Sequence, residues 1–99
     1  MTMKYGQISW NADKNRLLRE TRGVCFEDVE NAIEQNAVLD DYAHPDSESY
    51  PHQRILVVAI RGYACNTPYI FEEDGIFLKT IYPSRKATRL FLNRGEHDK

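Results

Sequence analysis

The sequence predicts an α+β domain: an antiparallel sheet of about four core strands, with two helices ahead of it and one behind. Three observations carry this. Residues 12–35 show helical spacing and caps, whereas Val38 to Tyr82 reads as β-branched and aromatic runs. Arg61-Gly62 and Glu73-Asp74-Gly75 separate those runs by the short connections of antiparallel neighbours. At 99 residues, 41% hydrophobic and 28% charged, the chain suits one core in a single domain over 1–99.

Tyr5 to Trp10 reads as a short strand. Asn11 is a cap for a polar helix over Ala12 to Arg22, stopped by Gly23. Leu17 and Leu18 are its main apolar contacts, so it belongs on the surface. A second helix runs from about Cys25 to Gln35. Phe26, Val29 and Ile33 form its apolar stripe, Glu27 and Asp28 favour its first turn, and Val24 and Val29 make a hydrophobic staple. Val38 to Ala43 suits an edge strand, blunted by Asp40 and Asp41. After a polar loop with two prolines, Arg54 to Ile60 reads as a central strand buried on both faces.

In the next strand, Tyr63 to Phe71, residues Tyr63, Cys65, Thr67, Tyr69 and Phe71 share a face, and Pro68 marks an edge or a bulge. Ile76 to Tyr82 follows, with Phe77, Lys79 and Ile81 on one side. A last helix spans about Ser84 to Asn93, and residues 94–99 read as a frayed tail. The helices are expected on one sheet face, leaving the other free to bind.

Net charge is −2, but it is unevenly spread. Ile76 to Arg94 holds five cations and no acid, whereas Glu27 to Glu48 holds eight acids and no Lys or Arg. A basic end suits an anionic ligand and an acidic stretch a basic partner; solvated faces are the plainer account of both. Cys25 and Cys65 lack metal or disulfide spacing. No segment reads as a signal peptide or a membrane span, which makes the cytoplasm the expected compartment. No P-loop, GxSxG, HExxH or GxGxxG is present, so no cofactor is expected.

Three constellations remain. Ser84 caps a helix whose first turn holds Arg85 and Lys86. Cations are unfavourable at that end of a helix unless an anion sits there. With Lys79, Arg89 and Tyr82 they suit a phosphate; an exposed basic face is the alternative. His44, Tyr50, His52 and Arg54 surround one loop, and a histidine there suits acid–base work or merely decorates the surface. Two histidines with no matching Cys or carboxylate spacing make no metal site. Tyr63, Tyr69 and Phe71 form an aromatic stripe that serves base stacking or core packing.

Two blocks together resemble the BrnT-type toxins of bacterial type II toxin–antitoxin systems, within the RelE-like ribonucleases. The first is Trp10-Asn11-Ala12-Asp13-Lys14-Asn15 followed by Arg22-Gly23-Val24-Cys25-Phe26-Glu27-Asp28-Val29. The second runs from Ile81 through Arg85-Lys86-Ala87-Thr88, and Gln53 to Val58 lies between them. The chain departs from the family pattern at Asn11, Cys25, Lys79 and Pro83-Ser84. The resemblance implies a RelE/BrnT-like fold, metal-independent RNA cleavage, and neutralisation by a cognate antitoxin. By position it implies Arg54, Lys79 and Arg85 on the scissile phosphate. Together with the residue reading, it leaves His44 or His52 as acid or base, Tyr82 in support, and Lys14, Lys86, Arg89, Tyr63 and Tyr69 on the nucleic acid. A non-catalytic nucleic-acid- or protein-binding module of the same fold is the alternative. Homo-oligomer formation stays open.

Overall fold

The structure, a computed structural model, describes residues 5–92. The expected tail and the helix end at Asn93 lie outside these. The elements are β1 (Gln7–Trp10), α1 (Ala12–Arg22), α2 (Phe26–Glu34), β2 (Val38–Ala43), β3 (Gln53–Ile60), β4 (Tyr63–Glu72), β5 (Gly75–Leu78), β6 (Tyr82–Pro83) and α3 (Arg85–Phe91). The class is α+β, with three helices. The sheet, however, is mixed. Its order is β1-β5-β4-β3-β2, with β6 beside β4. β2 to β5 form the expected antiparallel meander. β1 instead runs parallel to β5, from Gln7↔Gly75 to Trp10↔Leu78. The chain leaves β1 through two helices and enters the sheet at the far edge. The meander then returns to β1 with the same heading.

The helix starts follow local chemistry. Asn11 Oδ1 accepts the Lys14 N–H at 2.9 Å, and Gly23 closes α1 at φ 69°. Asn15, buried on α1, clips the next helix. Its Oδ1 accepts the Phe26 N–H at 2.6 Å and its Nδ2 donates to Glu27 at 2.8 Å. Trp10 stacks on Phe26 with centroids 5.6 Å apart. The β3–β4 turn uses Arg61 and Gly62, both at positive φ. The strain at Arg61 is offset by its side chain, which donates to Gly23 O at 2.7 Å and pairs with Asp28 at 3.3 Å.

Both sheet faces are covered, which corrects the expectation of helices on one face only. Leu56, Val58 and Ile60 of β3 join Phe26, Val29, Ile33 and Leu18 under α1 and α2. The alternate residues Ile55 and Val57 join Ala64, Ala87 and Phe91 under α3. A continuous apolar strand is what burial on two faces requires, so the apolar run already implied a cover for the second face. Among the described residues, the buried Thr67 Oγ1 is an unpaired hydroxyl, on a residue with no exposed surface. Thr67→Val keeps the branched shape and removes the unmet group, so it is expected to raise stability by about 1 kcal/mol. The urea midpoint reads this, and an unchanged midpoint refutes it.

The expected strand from Ile76 to Tyr82 is broken in two, and Pro68 explains the break. Lys79 N–H donates to Pro68 O at 2.8 Å, but proline has no N–H to return the bond. Pairing therefore stops at Tyr69↔Leu78 and resumes as β6, at Asn66↔Tyr82 and Cys65↔Pro83. Pro68 thus sits inside a central strand rather than at an edge, and it marks the expected irregularity: residues 79–81 lie against only two residues of β4, Thr67 and Pro68. The break also re-phases the chain: Ile81 is fully buried with Ile76 and Leu78, opposite to its expected side with Phe77.

Candidate functional site

Arg54 is the second residue of β3 and shares the α1/α2 face of the sheet with Leu56 and Val58. It pairs across strands with Tyr69 and Ala43. Its Nε donates to Asp41 Oδ1 at 3.0 Å and its Nη2 to the Asp41 carbonyl at 3.0 Å. Asp41 also accepts from the Tyr5 hydroxyl at 2.9 Å and the Tyr69 hydroxyl at 2.9 and 3.0 Å. One carboxylate on the edge strand thus orders a guanidinium and two phenols. Burial first, and Asp41 second, push the Tyr69 phenol up to about 12 and move Tyr5 further the same way. The Asp41 hydrogen bonds also hold the Arg54 guanidinium more firmly protonated than usual.

Beside this network lies an open cavity of about 540 Å³, lined by Ala43, Pro51, His52, Gln53, Arg54 and Phe71. It brings together two of the expected site residues, Arg54 and His52. Arg54 commits its Nε and Nη2 to Asp41, and the Tyr69 hydroxyl also bears on its guanidinium. Phe71 is 64% exposed, with its ring edge-on to Tyr69 at 5.6 Å. The cavity therefore offers a fixed guanidinium, an imidazole and an open aromatic face. His44 is not in the lining, although its backbone N–H donates to Gln53 O at 3.0 Å. Its ring lies tilted at 32° to that of Tyr50, with centroids 4.3 Å apart, and its Nδ1 accepts the Asp46 N–H at 3.0 Å, so it serves the loop turn.

The remaining cations are not gathered here. Lys79 is exposed in the break after β5. Arg85, Lys86 and Arg89 are exposed on α3, across the sheet from Arg54. The phosphate cradle expected at Ser84 is partly filled: Ser84 Oγ accepts the Ala87 N–H at 3.0 Å and Ser84 O the Thr88 N–H at 2.9 Å. With seven residues, α3 also supplies little dipole. Tyr82 is 39% exposed on the α3 side, beside Tyr42. Tyr63 is 38% exposed at the far end of β4, and Lys14 is half-buried on α1. Tyr69 has no exposed surface, so its ring cannot stack on a base: it is a packing residue that carries a hydroxyl to Asp41.

Sequence reasoning missed Asp41, Tyr5 and the separate position of Phe71. Asp41 read as a charge blunting an edge strand. The signal for its pairing was there: a hairpin closing over residues 44–52 sets Asp41 diagonally across from Arg54. Among the described residues no three His, Cys, Asp or Glu side chains form a metal-binding group, and no helix is long and apolar enough to cross a membrane. No protein-family model matches the chain, and neither a curated protein nor a solved structure does.

Proposed function

We propose that this chain is a BrnT-type toxin of a type II toxin–antitoxin system, a metal-independent, RelE-like endoribonuclease of the cytoplasm held in check by a cognate antitoxin. The carrying observation is the cavity that joins Arg54, His52 and Phe71. The Arg54 guanidinium, aimed by Asp41, would give its Nη1 hydrogens to a phosphate oxygen. Phe71 would stack on a neighbouring base. His52 would take the proton from a ribose 2′-hydroxyl as that oxygen attacks phosphorus. The P–O5′ bond then breaks, the 5′-oxygen takes its proton from solvent water in the open cavity, and a 2′,3′-cyclic phosphate remains. Lys79 lies outside this cavity and, like Arg85, Lys86 and Arg89 on the opposite face, adds only a longer-range field.

The Arg54–Asp41 pair favours a second reading, the non-catalytic nucleic-acid- or protein-binding module. Asp41 cancels most of the long-range charge of Arg54, so a phosphate is held by short directed N–H bonds while little positive potential remains for a developing charge. Cleavage of single-stranded RNA in EDTA separates the two. The ribonuclease reading expects His52→Ala to slow cleavage by about 10²-fold or more with RNA binding retained, by the usual scale of acid–base catalysis. It expects Arg85→Ala to change cleavage little. Binding without cleavage in the wild type selects the module, and loss of cleavage in Arg85→Ala alone moves the site to the α3 face.

A further inference from the structure

On the α3 side of the sheet a second groove of about 410 Å³ runs between α3 and the edge strand β2. Val57, Ala87 and Phe91 form its apolar floor. Tyr42 on β2 and Leu90 on α3 form its walls, 37% and 59% exposed. Lys86 lines it, and Arg85 and Arg89 stand on the same helix. None of these three cations makes an ion pair among the described residues, and α3 contains no acid. The acid in the lining, Asp40, spends its Oδ1 on the Asp41 N–H at 2.8 Å.

These features narrow the occupant. A second copy meeting α3 to α3 would set two unpaired cationic helices against each other, which costs binding energy. Strand addition at β2 is blocked at its middle: the Asp41 N–H is held by Asp40 and its C=O by Arg54. A nucleic acid satisfies the cations but leaves Leu90, 59% exposed, with no aliphatic surface to bury against. Exposed apolar walls rimmed by unpaired cations call for apolar side chains flanked by carboxylates.

We propose that this groove docks an acidic amphipathic helix of another protein. Its apolar residues enter between Tyr42 and Leu90, and its carboxylates face Lys86, Arg89 and Arg85. The proposal does not depend on what the Arg54 cavity does.

The test uses the full chain and a labelled peptide of about 14 residues, with Leu at i, i+3, i+4 and i+7 and Glu elsewhere, followed by fluorescence anisotropy. Three comparison probes are used: the same peptide with Lys for Glu, a scrambled Leu/Glu peptide, and single-stranded RNA. The acidic amphipathic peptide is expected to bind about tenfold or more tighter than the Lys and scrambled versions. Leu90→Asp, at an exposed position that leaves the core intact, should weaken it by about tenfold. Lys86→Glu with Arg89→Glu should reverse the preference toward the Lys peptide. Equal binding of the scrambled peptide, or no effect of Leu90→Asp, overturns the proposal. So does RNA that competes with the peptide and is itself weakened by Leu90→Asp. Self-association that Leu90→Asp abolishes would make a second copy the occupant and overturn it too.

Discussion

Asp41→Ala is expected to lower stability by about 3 kcal/mol, although Asp41 sits on an edge strand at the rim of the fold. The side chain is 18% exposed and receives Arg54 Nε and two tyrosine hydroxyls, all within 3.0 Å. Removing it leaves a partly covered guanidinium without its counter-charge and takes an acceptor from two phenols in the interior. Unmet partners, more than lost bonds, set the size of the effect. Urea unfolding measures it. The same network sets an alkaline limit. The folded Tyr69 phenol titrates near 12, above an unfolded value near 10. Its contribution is therefore complete below pH ~10 and is lost as the pH rises toward ~12. Tyr5 shifts the same way and adds to the slope. Wild-type stability should fall steeply across that window, and the fall should be shallower in Asp41→Ala. Parallel curves in the two proteins would show that Asp41 does not govern the phenols.

What the sequence discloses here is what short-range chemistry decides. Asn11, Ser84 and Gly23 act within one helical turn, and each sits where its type predicts. The apolar run of β3 identifies a central strand because burial on two faces needs nothing else. The parallel placement of β1, the face chosen by α3 and the partner of Arg54 are settled by contacts many residues apart, which periodicity does not encode. The resemblance to toxins divides along the same line. In its first block, Asn11 caps α1, Asn15 and Glu27 clip α1 to α2, and Trp10 stacks on Phe26. Those residues hold the scaffold. In its last block, Ser84 and Thr88 seat α3 against the Ala64 backbone. Most of the residues in these blocks thus build the fold, and the proposed cleavage rests on Arg54 and His52. The cations of α3, conspicuous in the sequence, face a different groove.

Gly75→Ala should disrupt the N-terminal edge of the sheet, with a loss of about 3 kcal/mol or more, at the upper end for overpacking. Glu73-Asp74-Gly75 reads as a hairpin signal, and in such turns a glycine commonly supplies a positive φ. The hairpin is there, but it closes through Glu73 and Asp74, with Glu72 paired to Gly75, and Gly75 is not among the residues at positive φ. Space is the reason for glycine. A Cβ at Gly75 would lie 1.9 Å from the Gln7 carbonyl oxygen and 2.4 Å from the Gln7 nitrogen, both backbone atoms of β1. No rotamer relieves such an overlap, so β1 must move away from β5. Trp10 ends β1, so moving β1 disturbs its stack on Phe26. Trp10 is the one tryptophan of the sequence, so its emission reports the change and should shift to the red. Gly23→Ala serves as the control. It meets no atom within 4 Å and bears only the strain of φ +69°, about 1 kcal/mol. A Gly75→Ala protein with native emission, no less stable than Gly23→Ala, would refute the close approach of β1 to β5.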